Sequence, residues 1–589
     1  MPKIPLRNSA IEQFHLLVEL GRWIPVAAYA GVMAGTASAI LLASLTLATN
    51  LRETHVWLIL LLAPAGWCLG MMYRRFGRSV EGGNNLILEQ VHDPREVIPL
   101  RMTPLILIGT FISHLFGGSV GREGTAIQTG ASLADQLSRP LRLSPGDRRI
   151  LLMAGISAGF ASVFGTPMAG AVFGIEVLAL GKLSYDAIAP CFLAAFVGDL
   201  VTREWARYIP GVHHTIYHVS DVPSLSVPAI VYAAIAGIAF GLTGMAFAKT
   251  THLFTQTMKR LVSRSEFRPV VGGLLLTAAI FGLGYAWSSR YIGLGLPTIS
   301  AAFETKLPAY DFFAKFLFTA VTLGSGFKGG EVTPLFFIGS TLGNALSRVL
   351  PLPMPLLAGM GFVAVFAGAA NTPIASTFMA FELFGAEAGA FAGIACVVSY
   401  LFSGHAGIYS SQRVGKSKHL AMAAEEGLPL ALVAKMRETP GKEILENIDS
   451  YGYPKGDEGK QTSVLRLYFP ASAMHCVGAW WKRAASETMG EFLLQQARKQ
   501  GIEQALLRRV VGGYLKDPTG PTDALLFAQL PQCLELFGED EELQGFLREH
   551  QEDLKDVRVV FRRGGTRTTF DTSQQIVASR QMPDDVKGA

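Results

Sequence analysis

Eight stretches of this chain contain no Asp, Glu, Lys or Arg: residues 23–51, 54–73, 102–121, 150–175, 222–248, 269–289, 349–381 and 388–412. A helix crossing a hydrocarbon core of about 30 Å needs about 20 mostly apolar residues. Inside lipid, backbone polar groups must be paired within the protein, so runs of this kind fold as helices. Eight runs exceed what a signal peptide supplies, and the N-terminus lacks the layout of one. The 349–381 run has room for more than one helical piece. Shorter apolar stretches at 187–198, 312–327 and 332–347 read as partial or broken helices. The expectation is an all-α polytopic membrane protein with more than ten membrane segments.

Charge locates the end of that bundle. Residues 436–589 hold 20 basic and 23 acidic side chains in 154 positions, whereas the other 435 positions hold 31 and 23. A charge-poor membrane body is followed by a soluble tail, which excludes a wholly soluble enzyme. The basic excess of the body fits cytoplasmic turns such as Arg74, Arg75 and Arg78, or Arg139, Arg142, Arg148 and Arg149, without a nucleic-acid partner. Five scattered cysteines give no disulfide framework. His213, His214 and His218 share a polar loop but lack the companions of a metal site. With no P-loop or dinucleotide fingerprint, neither ATP-driven pumping nor a cofactor is implied.

Two parts of the body echo one another. Gly121-Arg122-Glu123-Gly124-Thr125 has the pattern G-x-E-x-T, and Gly329-Gly330-Glu331-Val332-Thr333 repeats it 208 positions later. Phe160-Ala161, Thr166-Pro167, Ala169 and Glu176 recur as Phe366-Ala367, Thr372-Pro373, Ala375 and Glu382, each 206 positions on. Two motifs in one order at nearly one offset indicate duplicated halves. Interrupted hydrophobic segments at matching places in two halves point to a transport site near the midplane.

The interruptions carry the chemistry. Glycine-rich breaks occur at 82–87, 117–125 and 324–334, each ahead of an apolar stretch that can start a helix. A helix N-terminus offers unpaired N–H groups and positive partial charge, so several converging ones make an anion site without a full cation. Glu123 and Glu331 lie inside two of these breaks, where an ionisable group is by default functional. As a carboxylate Glu123 can occupy an anion site and leave it when protonated, making it gate and proton carrier. Its other reading is a helix cap or a partner of Arg122. Glu331 has the same choice, with Lys328 close by. Glu176 and Glu382, at symmetric places on longer helices, read as structural hydrogen-bonding residues.

Together these motifs resemble the CLC family of anion channels and proton-coupled antiporters over roughly residues 20–420. Gly83–Ile87 is similar to its first anion-binding motif, usually G-S-G-I-P. Gly121–Thr125 is similar to G-R-E-G-P, which puts Glu123 at the gating glutamate, and Gly330–Pro334 to G-x-F-x-P. Tyr409, in Gly404-His405-Ala406-Gly407-Ile408-Tyr409, falls at the tyrosine that donates to the central anion. The resemblance implies inverted halves, a homodimer with one pore per subunit, and a multi-pass protein of the cell (inner) membrane. It also implies gating and proton coupling at Glu123 and Glu331, and anion binding by Asn84, Asn85, Thr125, Val332, Thr333 and Tyr409.

Departures from the usual motifs bear on the substrate. Asn84 replaces a serine, Thr125 a proline, and Glu331-Val332-Thr333 a segment with a central phenylalanine. Val177 stands where chloride/proton antiporters carry an inner proton glutamate. This combination resembles the fluoride-exporting branch, whose members exchange fluoride for protons. Fluoride holds its water tightly, so stripping it needs close, strong donors such as the Asn84 amide, the Tyr409 and Thr333 hydroxyls and backbone N–H groups. The reading is a fluoride/proton antiporter rather than an enzyme. Its alternatives are a chloride/proton antiporter or chloride channel on the same scaffold, and a membrane-anchored anion sensor.

Taking residues 1–438 as the transport body, a polar linker follows at 439–462, a small domain at 463–564 and a disordered tail at 565–589. Within the domain, strands are expected at 464–469, 505–511, 524–530 (534–537 extending the last) and 557–562, with helices at 486–500 and 539–550. The order βαββαβ is the ferredoxin-like α+β arrangement. With Val511-Gly512-Gly513-Tyr514 as a turn, the segment resembles small PII-like bacterial domains. That resemblance implies a cytoplasmic sensor that binds a nucleotide or small anion.

Overall fold

The computed structural model describes residues 6–438 apart from 95 and 420–424, and then 463–470, 489–509 apart from 503, 531–563 apart from 552, 555 and 556, and 566–570. The expected linker at 439–462, the 511–514 turn and the tail beyond 570 lie outside the described residues. The chain divides into two compact units, Met1–Glu438 and Thr439–Ala589.

The first half of the body runs through α1 (Leu6–Thr54), α2 (Leu62–Phe76), α3 (Asn84–His92), α4 (Met102–Leu115), α5 (Glu123–Asp135), α6 (Pro145–Phe164), α7 (Pro167–Glu176), the short strand β1 (Ala179–Leu180) and α8 (Ile188–Trp205). The second runs through α9 (Val227–Leu261), α10 (Arg268–Gly282), the single turn α11 (Tyr285–Ser288), α12 (Leu296–Glu304), α13 (Asp311–Gly324), α14 (Val332–Leu346), α15 (Met354–Ala370) and α16 (Pro373–Phe402). The order α4–α7 thus recurs as α13–α16, with breaks at the same places. Between α6 and α7 the chain turns at Gly165 (φ 73°) and restarts on Pro167, and between α15 and α16 it turns at Asn371 (φ 58°) and restarts on Pro373. A left-handed residue closing one helix and a proline opening the next is the ordinary grammar of helix ends. It splits the 349–381 run in two.

Among the described residues, five segments are long and apolar enough to cross a membrane: Leu20–Thr54, Val56–Phe76, Tyr185–Trp205, Val227–Leu261 and Pro373–Phe402. The bent pair Ser265–Gly282 and Tyr285–Tyr291 makes a sixth. The expected count of more than ten therefore includes helices that stop short. Those at 102–115, 332–346 and 354–370 are apolar but span only 14, 15 and 17 residues, because glycine and proline end them early. Even α16 is interrupted, at Gly385 (φ 84°, ψ 175°).

Reciprocal contacts join the halves. The Glu176 carboxylate accepts from the N–H groups of Ile374 (3.0 Å) and Ala375 (2.7 Å) at the start of α16. Glu382 does the same for Met168 and Ala169 at the start of α7, both at 2.9 Å. Each half thus caps a helix of the other, in the isologous pattern of a two-fold axis. Small residues bring the helices together. A Cβ on Gly130 would stand 2.4 Å from the Gly155 carbonyl oxygen, and one on Gly339 would stand 2.0 Å from that of Gly361. Both crossings therefore exclude any side chain, as close packing between membrane helices requires.

After α16 the chain pairs β2 (Arg413–Val414) in parallel with β1. A strap at 427–431 then leads into α17 (Leu430–Glu438). Leu430 N–H donates to the Gln412 carbonyl at 2.9 Å, and Ala431 N–H to that of Ser410 at 2.9 Å.

The second unit is a five-stranded antiparallel sheet built from β3 (Ser463–Pro470), β4 (Gln504–Arg509), β5 (Pro531–Gly538), β6 (Arg558–Arg563) and β7 (Thr566–Phe570), in the order β4-β5-β3-β6-β7. Helices α18 (Met489–Lys499) and α19 (Asp540–Glu549) complete the ferredoxin-like sequence of elements. Alternation on β3 buries Leu465, Leu467 and Phe469 against Leu493, Leu536 and Phe546. Two expectations are corrected. A strand runs over Pro531–Gly538, longer than the 534–537 extension expected, while 524–530 lies outside the described residues. Thr566–Phe570 also pairs with β6, so the sheet continues past residue 564, where a polar composition suggested disorder. Threonine-rich stretches suit an edge strand despite their polarity.

Candidate functional site

The two G-x-E-x-T segments meet. Gly121 N–H donates to the Gly330 carbonyl at 2.6 Å, and Gly330 N–H to that of Gly121 at 2.7 Å. A Cβ on Gly330 would lie 2.7 Å from the Gly124 nitrogen and 3.0 Å from that of Glu123. Only glycine lets the N-termini of α5 and α14 approach this closely. Their unpaired N–H groups, positive by orientation, face one small volume.

Glu123 fills it. Its carboxylate is fully buried and accepts from the N–H groups of Arg122 (3.1 Å) and Thr333 (3.0 Å) and from the Thr333 hydroxyl. Arg122 Nε lies 3.7 Å away. The glutamate of one half therefore caps the helix of the other, in a position suited to any small anion. Beside it, Glu123 and Thr333 line a small cavity with Arg122, Tyr217 and Phe336.

A second cavity, of about 150 Å³, lies on the side of Asn84, Asn85, Glu331 and Tyr409. The Tyr409 hydroxyl and the Asn84 side-chain oxygen are buried and lack hydrogen-bond partners among the described residues. Half a turn of the amide exchanges its oxygen and nitrogen, so Asn84 presents either an acceptor or two donors. Asn85 plays another part here, accepting from Ser411 N–H at 3.1 Å, while Ser411 Oγ donates to Glu89 at 2.7 Å. Gln412 completes the clamp through the carbonyls of Val177 (2.8 Å) and Ala370 (3.1 Å). Together they hold the loop that carries Tyr409. Val177, with Phe173 and Ile156, faces a small apolar pocket next to Asn84 and Tyr409.

Two expected ligands stand apart. The Thr125 hydroxyl pairs with that of Thr110 at 2.6 Å and lines neither the Glu123 nor the Tyr409 cavity. Val332 is buried in the apolar core and can offer only its backbone N–H at the head of α14. Lys328 and Glu331 form no ion pair among the described residues. Instead the lysine ammonium lies 4.1 Å from the centre of the Tyr73 ring. His214 is bonded to the Ser162 carbonyl at 3.0 Å.

The voltage-gated chloride channel family model matches residues 65–404. A chloride/fluoride channel protein of Pseudomonas syringae pv. tomato is 54% identical over 418 residues, covering 70% of this chain and 91% of that one. The chain belongs to this family. The crystal structure of a CLC-type fluoride/proton antiporter superposes with a TM-score of 0.64 at 36% identity, over 67% of this chain and 99% of that one. A slow cyanobacterial Cl⁻/H⁺ antiporter shares the fold, with a TM-score of 0.57 at 20% identity over 71% and 98%. Within this CLC scaffold the sequence signals missed Gln412. Gln412 works through backbone carbonyls far away in sequence.

Proposed function

We propose that this CLC protein is a fluoride/proton antiporter that removes fluoride from the cytoplasm in exchange for protons. The observation that carries the reading is the Glu123 carboxylate occupying an anion position between the helix N-termini of both halves. Protonation removes its charge and frees the position for an anion, so one site serves both ions in turn. Glu331 stands on the far side as the second proton-handling carboxylate. Asn84, Tyr409, Thr333 and the helix N–H groups supply donors to the stripped fluoride, while Asn85 holds the Tyr409 loop. Similarity to a chloride/fluoride channel protein and to a fluoride/proton antiporter supports this choice of ions.

On this reading the protein works as a homodimer in the inner membrane, with the ferredoxin-like unit in the cytoplasm as a PII-like sensor of a nucleotide or small anion. Anion release from proteoliposomes tests the assignment. Fluoride release well above chloride release supports it. Chloride release equal to fluoride would return the chain to the chloride branch, and no release of either would leave the sensor.

A further inference from the structure

The cavity beneath Tyr409 shares a wall with a larger vestibule of about 480 Å³. Tyr73, Glu81, Asn85, Lys328 and Glu331 line both. Lys328 is the one cation of that shared wall among the described residues. Its backbone N–H is fixed by the Ser113 hydroxyl at 3.2 Å, and its ammonium rests against Tyr73, with no carboxylate at ion-pair distance among the described residues. The other charged and titratable groups stand further out, on the vestibule wall: Arg74, His252, Lys259 and Arg268. Arg74 is already paired with Glu266, and Arg268 donates to the Val262 carbonyl at 3.0 Å.

We propose that Lys328 is the counter-charge through which fluoride and proton occupancy of this cavity are coupled, with Glu81 and Glu331 competing against fluoride for it. The inference rests on the fluoride/proton reading above. With both carboxylates ionised, the wall carries one more negative than positive charge, so an entering anion is repelled. A proton taken from vestibule water onto Glu331 cancels one negative charge and weakens the competition for the ammonium. Fluoride binding therefore strengthens as pH falls. A lysine suits this anion because its ammonium is a compact point charge with three donors, whereas a guanidinium fork matches planar oxyanions. Stacking on Tyr73 keeps the charge near the cavity without neutralising it.

The test measures the half-saturating sodium fluoride concentration for transport by the full chain in proteoliposomes at about pH 8 and about pH 6. Lys328→Met should raise it by about tenfold or more at the lower pH, where the ammonium is left to the anion, and by less at the higher one, where the carboxylates already hold it. Lys328→Arg should stay within about threefold of the wild type, because the charge is kept. Glu81→Gln, at an exposed position where folding is not at issue, removes one competing negative charge and should lower the value at both pH values. An unchanged value in Lys328→Met, or an equal rise at both pH values, would mean that the ammonium only braces Tyr73. A Glu81→Gln protein with the wild-type half-saturating concentration overturns the competition even if the lysine variant fails to fold. A wild type that carries no fluoride would sink the antiporter reading itself, which is a separate result.

Discussion

Glu123 and Thr125 are two residues apart in one motif, yet they do different work. The first turns into the junction of the halves and the second turns back to Thr110. Sequence pattern places both at a helix start but does not say which way each side chain faces. Glu123 stood out as a candidate gate because a carboxylate in a glycine break has few structural reasons to be there. Asn84 stood out as a candidate through the resemblance of its motif. The role of Thr125 was not legible, since a hydroxyl at a helix start serves packing as readily as binding. Asn84→Ser should therefore raise chloride flux relative to fluoride in proteoliposomes while leaving thermal stability near wild type. Thr125→Val should do the reverse, losing about 1 kcal/mol of stability with its hydrogen bond while the fluoride-to-chloride ratio stays put. A ratio that shifts with Thr125 instead would relocate selectivity to the head of α5.

Helix ends, more than helix lengths, organise the body. The 206-residue echo identified Glu176 and Glu382 as structural, and they prove to be reciprocal caps on α16 and α7. What the echo left open was the direction of pairing. The Gly121–Gly330 bridge is antiparallel, and antiparallel pairing is what a two-fold between the halves requires. Where hydropathy suggested spans, the structure has pieces, because Gly165 interrupts the 150–175 run and Asn371 the 349–381 run. Glu176→Ala strands two N–H groups, one of them on the buried Ala375, and should cost about 1–3 kcal/mol. Thermal unfolding in detergent checks this. A melting temperature equal to wild type would mean that the cap is dispensable and that the halves are held by the glycine crossings alone.

In the whole molecule, the transport body ends later than its last membrane helix. The strap at 427–431 is bonded to Ser410 and Gln412, on the loop that presents Tyr409, and α17 follows it in the chain. Nothing in the composition of 425–438 marks it as part of the site, because its contribution is made through backbone groups. Truncation after Glu438 should leave a folded protein with fluoride transport within a few-fold of the full chain, whereas truncation after Glu425 should lose most of it along with the strap. Equal activity in both would show that the Tyr409 loop holds its shape unaided. Inactivity of the longer truncation, if still folded, would make the sheet domain part of the transport machine.

The central claim is that a single carboxylate and the anion alternate between the helix N-termini of the two halves. Proton movement driven by fluoride is its most direct test. Proteoliposomes loaded with fluoride, with equal pH inside and out, should acidify internally as fluoride leaves through the wild-type protein. Glu123→Gln should still release fluoride but produce no acidification. A Glu123→Gln protein that continues to draw protons inward against the leaving anion would contradict the account.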